Sequence, residues 1–238
     1  MKNYWELSIE AGYYDKIYKE GLVKKKGFQS NWHLTTLKKI EPYLIKGIDH
    51  LDYATGPGTL VGNFSRSRSI GVDLSKKQIN FAKEKYSDYL FFELDNFNYK
   101  AYEEKFDVIT VLGLFEFINS EEIEKIMKEF SYMLKQNGKL VITTPNFKLG
   151  LRTLLKVSQY FGKTGYNDIY ISKFVRTSFE KFLQEQKNFD VMKIENFLNL
   201  GSIFSFFSHN VSLYFERIFN IIFYKKFGFL LFAELRKK

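Results

Sequence analysis

The 238-residue chain is 45% hydrophobic, enough for a sizeable core, and its length fits one domain with insertions. It has no cysteine and only three histidines, His33, His50 and His209, far apart in sequence. This excludes disulfides and thiolate chemistry and argues against a transition-metal site. The formal net charge of +9 is uneven: residues 1–47 hold nine lysines against five acids, residues 197–238 hold six Lys or Arg against two Glu, and the middle is near balance.

The first residues lack the apolar run of a signal peptide. A helix is predicted over 34–46, where Leu34, Leu37, Ile40 and Leu44 recur at helical spacing and Pro42 is placed to break the run. Strand one is predicted at 48–53, followed by a glycine turn and a short helix from Gly58. Strand two is predicted at 69–73. Ser75 is the expected N-cap of a helix through residue 86. Strand three covers 89–94 and ends at Asp95.

Strand four, 106–112, is rich in β-branched residues, as a strand buried on both faces should be. Ser120 is the expected cap of a long helix that Asn137-Gly138 stops. Strand five, 139–144, closes at Pro145. Thr177-Ser178-Phe179-Glu180 reads as a capping box for a helix over 178–187. Strand six is predicted at 190–195 and a last apolar strand at 227–235. Residues 146–176 and 197–226 break the alternation. Each follows a strand's C-terminal end, the edge where open α/β sheets bind ligands, and they read as substrate-side insertions.

The chemistry concentrates in two segments. Leu51-Asp52-Tyr53-Ala54-Thr55-Gly56-Pro57-Gly58 is a strand end followed by a turn whose glycines admit a close ligand. Ile70-Gly71-Val72-Asp73 is the next strand, tipped with a carboxylate that can accept hydrogen bonds from both hydroxyls of a ribose. A nucleoside-bearing cofactor is the natural occupant.

With Phe92-Glu93-Leu94-Asp95-Asn96, Phe106 to Gly113, and Leu134-Lys135 followed by Gly138 to Ile142, these motifs resemble, in order and spacing, a class I S-adenosylmethionine-dependent methyltransferase of the small-molecule, ubiquinone-biosynthesis-like branch. The chain departs at Ala54, where that family usually has glycine. The resemblance implies a Rossmann-like, doubly wound α/β fold: a mainly parallel seven-stranded sheet with helices on both faces and an antiparallel C-terminal strand. It further implies a single domain, with residues 1–47 as a helical lid and 48–145 as the cofactor-binding half.

On that resemblance, Asp52, Ala54, Gly56 and Gly58 surround the methionine part of S-adenosyl-L-methionine, and Asp52 meets its ammonium directly or through water. Asp73 takes the ribose hydroxyls and Leu74 packs on the adenine. Asp95 and Asn96 receive the adenine edge. Leu112 and Gly113 floor the reactive sulfonium, and Tyr13 covers the cofactor from the lid. No metal is implied. A catalytic base is not identified: the family's histidine after strand four is replaced by the pair Glu116-Phe117, leaving Glu116, His33 and His209 as candidates.

The acceptor is expected to be a small or lipid-like molecule, methylated on oxygen or nitrogen, because both insertions mix apolar and basic residues. Residues 211–224 form an amphipathic helix resembling an interfacial one. The span 203–224 is too polar to cross a membrane comfortably. A cytoplasmic protein, peripheral at an anionic membrane or simply solubilised by its lysines, fits both. An oligomer remains open. No nucleic acid is expected, since no stacking platform is evident. The alternative is a non-catalytic protein of the same fold acting as a binding or membrane-docking subunit.

Overall fold

Three helices open the chain: α1 (Lys2–Ser8), α2 (Tyr13–Lys24) and α3 (Phe28–Ile40). Pro42 ends the third. A 3-10 turn, Glu41–Tyr43, replaces the predicted continuation to residue 46, because proline has no N–H for the helical ladder. Strand and helix then alternate: β1 (Asp49–Tyr53), α4 (Thr59–Phe64), β2 (Arg68–Asp73), α5 (Lys76–Lys85), β3 (Leu90–Glu93), β4 (Phe106–Leu112), α6 (Ser120–Met133), β5 (Leu134–Pro145), α7 (Arg176–Gln184), β6 (Phe189–Phe197), α8 (His209–Ile222) and β7 (Leu230–Lys237). The structure, a computed structural model, describes residues 2–64, 68–148, 170–223 and 226–238. Most of the 146–176 insertion lies outside the described residues.

The seven strands form one sheet in the order β3-β2-β1-β4-β5-β7-β6. The first five are mutually parallel, and β7 runs antiparallel to both its neighbours. This is the Rossmann-like arrangement expected, with both sheet faces covered. On one face, Ile123, Met127 and Phe130 of α6 and Phe179 and Leu183 of α7 pack on Leu51, Ile109 and Leu140. On the other, Tyr18, Ile40 and Leu60 from α2, α3 and α4 meet Val108, Val141 and Phe232. Alternate strand residues supply the two faces, the period-2 pattern of a pleated strand.

Three local expectations are corrected. Asn119, not Ser120, caps α6: its side chain accepts from Glu122 N while Glu122 accepts from Asn119 N. The same helix ends at Met133, before Asn137-Gly138, because the fully buried Leu134 already pairs with Phe106 in the sheet. Asn137, at φ 62°, instead lies in the irregular stretch where the β4–β5 register shifts. Finally, α7 begins two residues early, with the Ser178 hydroxyl accepting from Val175 N. Ser75 caps α5 as expected, accepting from Gln78 N.

The N-terminal helices are tied to the sheet's α5 side. Gln78 donates to Glu10 O at 2.8 Å and accepts from Gly12 N at 3.0 Å. Asp15, buried on α2, accepts from the Thr59 hydroxyl at 3.2 Å and from Tyr86. Thr59 is the first residue of α4, so this bond joins α2 to the end of the glycine turn.

Candidate active site

The turn after β1 is built from left-handed backbone: φ is 64° at Ala54, 55° at Gly56 and 74° at Gly58. The two glycines serve different ends. A Cβ on Gly56 would meet nothing within 4 Å, so this position borders open space. A Cβ on Gly58 would stand 2.8 Å from Phe91 and 3.0 Å from Ala82. Gly58 therefore lets the turn pack on α5 and β3, where the sequence reading gave it to a ligand. Ala54 bears the strain of a left-handed L-residue, a cost of about 1–2 kcal/mol that glycine would avoid.

Asp73 sits at the tip of β2 and closes the turn. Its carboxylate accepts from Gly56 N and from Ser75 N, each at 2.8 Å. Desolvation raises its pKa, against the pull of those two amides. Each oxygen keeps lone pairs, and the side chain is only partly buried, so two ligand hydroxyls can still be received.

Asp52 is placed differently from the expectation. Its carboxylate is 2% exposed and turned into the sheet, with Oδ2 accepting from the Thr55 hydroxyl and Oδ1 from the Thr110 hydroxyl, both at 2.6 Å. Desolvation pushes its pKa up to about 6. Asp52 thus holds the turn's shape through Thr55, whereas the sequence reading aimed it at the ammonium.

His50, which is not among the candidates the sequence offers, belongs to this network. Its ring lies between Ser69 Oγ and Thr110 Oγ1, both at 2.9 Å, on the strands flanking β1. Thr110 has one proton and donates it to Asp52, so His50 Nε2 must donate to Thr110 and Nδ1 must accept from Ser69. Desolvation keeps the ring neutral, with a pKa near 3. The cross-strand register carried the signal, since Asp52 pairs with Thr110 and His50 with Ser69.

The remaining cofactor-side candidates ring the same edge. Asp95 and Asn96 lie exposed in a 3-10 turn, Leu94–Asn96, directly after β3. Leu74, Leu112 and Gly113 are partly buried at the ends of β2 and β4, with Gly113 at φ 69°. Tyr13 opens α2, its hydroxyl within 3.5 Å of Gln29 Nε2 and its ring against Tyr14.

Of the three base candidates, Glu116 is the one the fold seats beside Gly113. It is 4% exposed, its Oε2 accepts from the Thr144 hydroxyl at 3.1 Å, and its Oε1 is 3.3 Å from where a Gly113 Cβ would stand. Its backbone carbonyl accepts from Ile171 N at 2.8 Å. Desolvation lifts its pKa to about 8. Glu116 lies in a 3-10 turn, Phe115–Phe117, beside linked aromatic rings: Phe117 stacks on Tyr170 at 5.4 Å, Trp5 meets Phe117 at 5.1 Å, and Phe147 meets Tyr170 at 4.9 Å.

His33 rests against Tyr14, at 5.1 Å between rings, and desolvation holds its pKa down at about 4. His209 is buried at the start of α8, with Nε2 3.2 Å from Ser30 Oγ and 3.4 Å from Gly27 O. It fastens α8 to α3, on a different seam from Glu116. A broad depression of about 770 Å³ lined by Lys39, Tyr43, Asp107 and Lys139 lies at the opposite, N-terminal edge of the strands and shares no residue with the turn.

A family model described as a methyltransferase domain matches residues 51–138, which span the turn, Asp73 and Glu116. A demethylmenaquinone methyltransferase of Thermotoga maritima is 30% identical over 162 residues, 62% of this chain and 69% of the relative. This chain belongs to the class I S-adenosylmethionine-dependent methyltransferases. An uncharacterised protein of Rickettsia prowazekii is 29% identical over 160 residues, 58% of this chain and 63% of that one. The magnesium protoporphyrin IX methyltransferase of Synechocystis PCC 6803, solved with bound SAH, shares the fold at TM-score 0.63 and 15% identity, over 100% of this chain and 98% of that one. The methyltransferase uses S-adenosylmethionine, and the residues present fit it: open space above Gly56 and spare acceptor capacity on Asp73 suit a ribose-bearing ligand.

Proposed function

We propose that this methyltransferase acts on an apolar, small-molecule or lipid-linked acceptor, and that Glu116 receives the acceptor's proton. The observation that carries the reading is Glu116 itself, a buried carboxyl set just past the C-terminal end of β4, steadied by Thr144 and followed by Phe117, whose ring stacks on Tyr170. The Thermotoga relative supports it, since its name gives a quinone as acceptor.

S-adenosylmethionine supplies, when bound, a methyl group on a positively charged sulfur. Asp73 accepts the ribose hydroxyls, Leu74 packs beside the adenine, and Asp95 with Asn96 meets the adenine edge. Asp52 keeps the turn open through Thr55. Leu112 and Gly113 form the floor, and Tyr13 covers the site from α2. In-line displacement depends mainly on holding the partners together, which can supply about 7–11 kcal/mol of barrier lowering. A hydroxyl acceptor also needs a base, and a carboxylate with a pKa near 8 is a far better proton acceptor than an ordinary glutamate.

The test offers methyl-tritiated S-adenosylmethionine to the purified protein with an extract of cell lipids and, separately, of water-soluble metabolites. Label is expected in the organic phase, and Glu116→Gln should lower it about 100-fold or more without changing affinity for the demethylated cofactor. Label confined to water-soluble products would overturn the acceptor class, and an unimpaired Glu116→Gln would overturn the base.

A further inference from the structure

The helix α8 is inside out. The residues it turns toward the protein are polar: Ser212 is 0% exposed, Glu216 9% and His209 6%. They are held there by hydrogen bonds. Asn31 donates to Ser212 and Glu216, Ser212 donates to Glu216, and Asn199 donates to the Glu216 carbonyl. What faces outward is apolar: Val211, Leu213, Tyr214 at 63%, Ile221 at 75% and Ile222. The preceding 3-10 turn, Leu200–Phe206, continues the surface with Phe206 at 54% and then Phe207 at 78%. A helix of a globular protein ordinarily buries its apolar face.

The end of α2 adjoins this surface. His209 N donates to Lys25 O at 2.8 Å and Gly27 N to Ser205 O. Leu22 and Val23 are exposed there, and Lys24, Lys25 and Lys26 follow, also exposed. Arg217 and Lys226 add charge along and beyond α8. Between residues 203 and 223 the sequence has one acid, Glu216, and it is buried. The surface is therefore apolar and rimmed with cations; beside it the half-exposed Glu20 is paired with Lys24 at 2.5 Å, so the cationic rim rests on Lys25, Lys26, Arg217 and Lys226.

We infer that this face, formed by α8, Phe206–Phe207 and the Leu22–Lys26 segment, docks the enzyme on an anionic lipid bilayer. Charge decides the occupant. Anionic headgroups complement the lysines, while a second copy of the same face would set cation against cation. Aromatic and aliphatic side chains at a polar–apolar boundary suit the headgroup level of a bilayer. No helix among the described residues is long and apolar enough to cross one. The inference rests on the apolar-acceptor reading and deepens it, because packed rings connect the docking face to the site. Phe206 stacks on Phe28 at 5.8 Å and Phe28 meets Phe229 at 6.1 Å. Phe229 shares a cluster with Phe147, whose ring touches Tyr170 near Glu116.

The full chain is tested by co-sedimentation with phosphatidylglycerol-containing vesicles and with pure phosphatidylcholine vesicles. Binding is expected to the anionic vesicles alone and to weaken as salt rises. A triple variant, Phe207→Ser, Tyr214→Ser and Ile221→Ser, and a charge variant, Lys25→Glu with Lys26→Glu, should each weaken binding roughly tenfold or more. Both should keep parental affinity for the demethylated cofactor by calorimetry, which reports that they fold. Failure of the parent to bind anionic vesicles, equal binding to neutral ones, or self-association through these residues without vesicle binding would overturn the inference. Intact cofactor binding and turnover of a detergent-dispersed acceptor, alongside absent vesicle binding, would sink the docking face and spare the acceptor reading.

Discussion

Thr110 donates its hydroxyl proton to Asp52 across the β1–β4 pairing at 2.6 Å, and the same oxygen accepts from His50. One hydroxyl therefore satisfies a buried carboxylate and a buried imidazole together. Replacing it with an isosteric methyl strips the partner from Asp52 Oδ1 and from His50 Nε2, each costing about 1–3 kcal/mol, while Thr55 and Ser69 still hold the other ends. Thr110→Val is expected to lower unfolding free energy by roughly 2–5 kcal/mol in urea titration, a large effect for a change that adds no void. An effect no greater than that of a surface substitution would show that the network is not satisfied as described.

Glu116 gives the fold a distinctive pH response. Its folded pKa, about 8, lies above its ordinary value of 4.5, so the folded state binds the extra proton. Its contribution to stability is fully present below the ordinary value and is lost as pH rises through 8. Glu116→Gln keeps a hydrogen-bonding partner for Thr144 and removes the ionisation. The variant should match the parent near pH 5 and be more stable above pH 8, by about 1–3 kcal/mol, in thermal melts across that range. Activity should move the opposite way, with the parent's rate rising as the carboxylate forms and the variant's staying flat and low.

The two Asp73 oxygens that hold the turn are also the ones proposed to receive the ribose hydroxyls. Asp73→Asn removes the charge and turns one oxygen into a donor facing the Gly56 or Ser75 amide. Hydrogen bonds to a charged acceptor contribute about 1.5–3 kcal/mol, so affinity for the demethylated cofactor should fall roughly 10–100-fold by calorimetry. Retained affinity would remove Asp73 from the ribose site.

The parallel half of the sheet was legible because β2 ends in Asp73, β4 is an apolar run ending before Gly113, and β1 leads into the Gly56-Pro57-Gly58 turn, punctuation that survives in one sequence. Glu116 was legible only as a position, since its burial depends on Thr144 and on the carbonyl contact with Ile171, both distant in the chain. His50 was missed because its neighbours Ser69 and Thr110 come from two other strands, and register is invisible to periodicity. The helix α8 was legible as amphipathic, but which face turns inward was not. Asn31 and Asn199 decide that by offering partners to Ser212 and Glu216.

Gln78 fastens the junction of the first two helices, beside the apolar packing of Tyr18 and Ile40 on the sheet. Its amide is used at both ends, donating to Glu10 O and accepting from Gly12 N, so it stitches the α1–α2 junction to α5. Gly12, at φ 71°, sits where a Cβ would strike Phe81, which leaves the junction little freedom to find another seat. Gln78→Leu keeps the volume and leaves Gly12 N without its acceptor, about 1–3 kcal/mol, while Glu10 O keeps only its bond from Tyr13 N. The loss should fall on the N-terminal helices rather than the sheet, because Gly12 opens α2. Amide exchange is expected to accelerate at Gly12 and along α2 while the central strands stay protected, and cofactor affinity should weaken about tenfold as the cover loosens. Uniform acceleration through β1 and β4 would mean that α2 and the sheet unfold as one unit, and the proposal that the N-terminal helices act as a separate lid would fall.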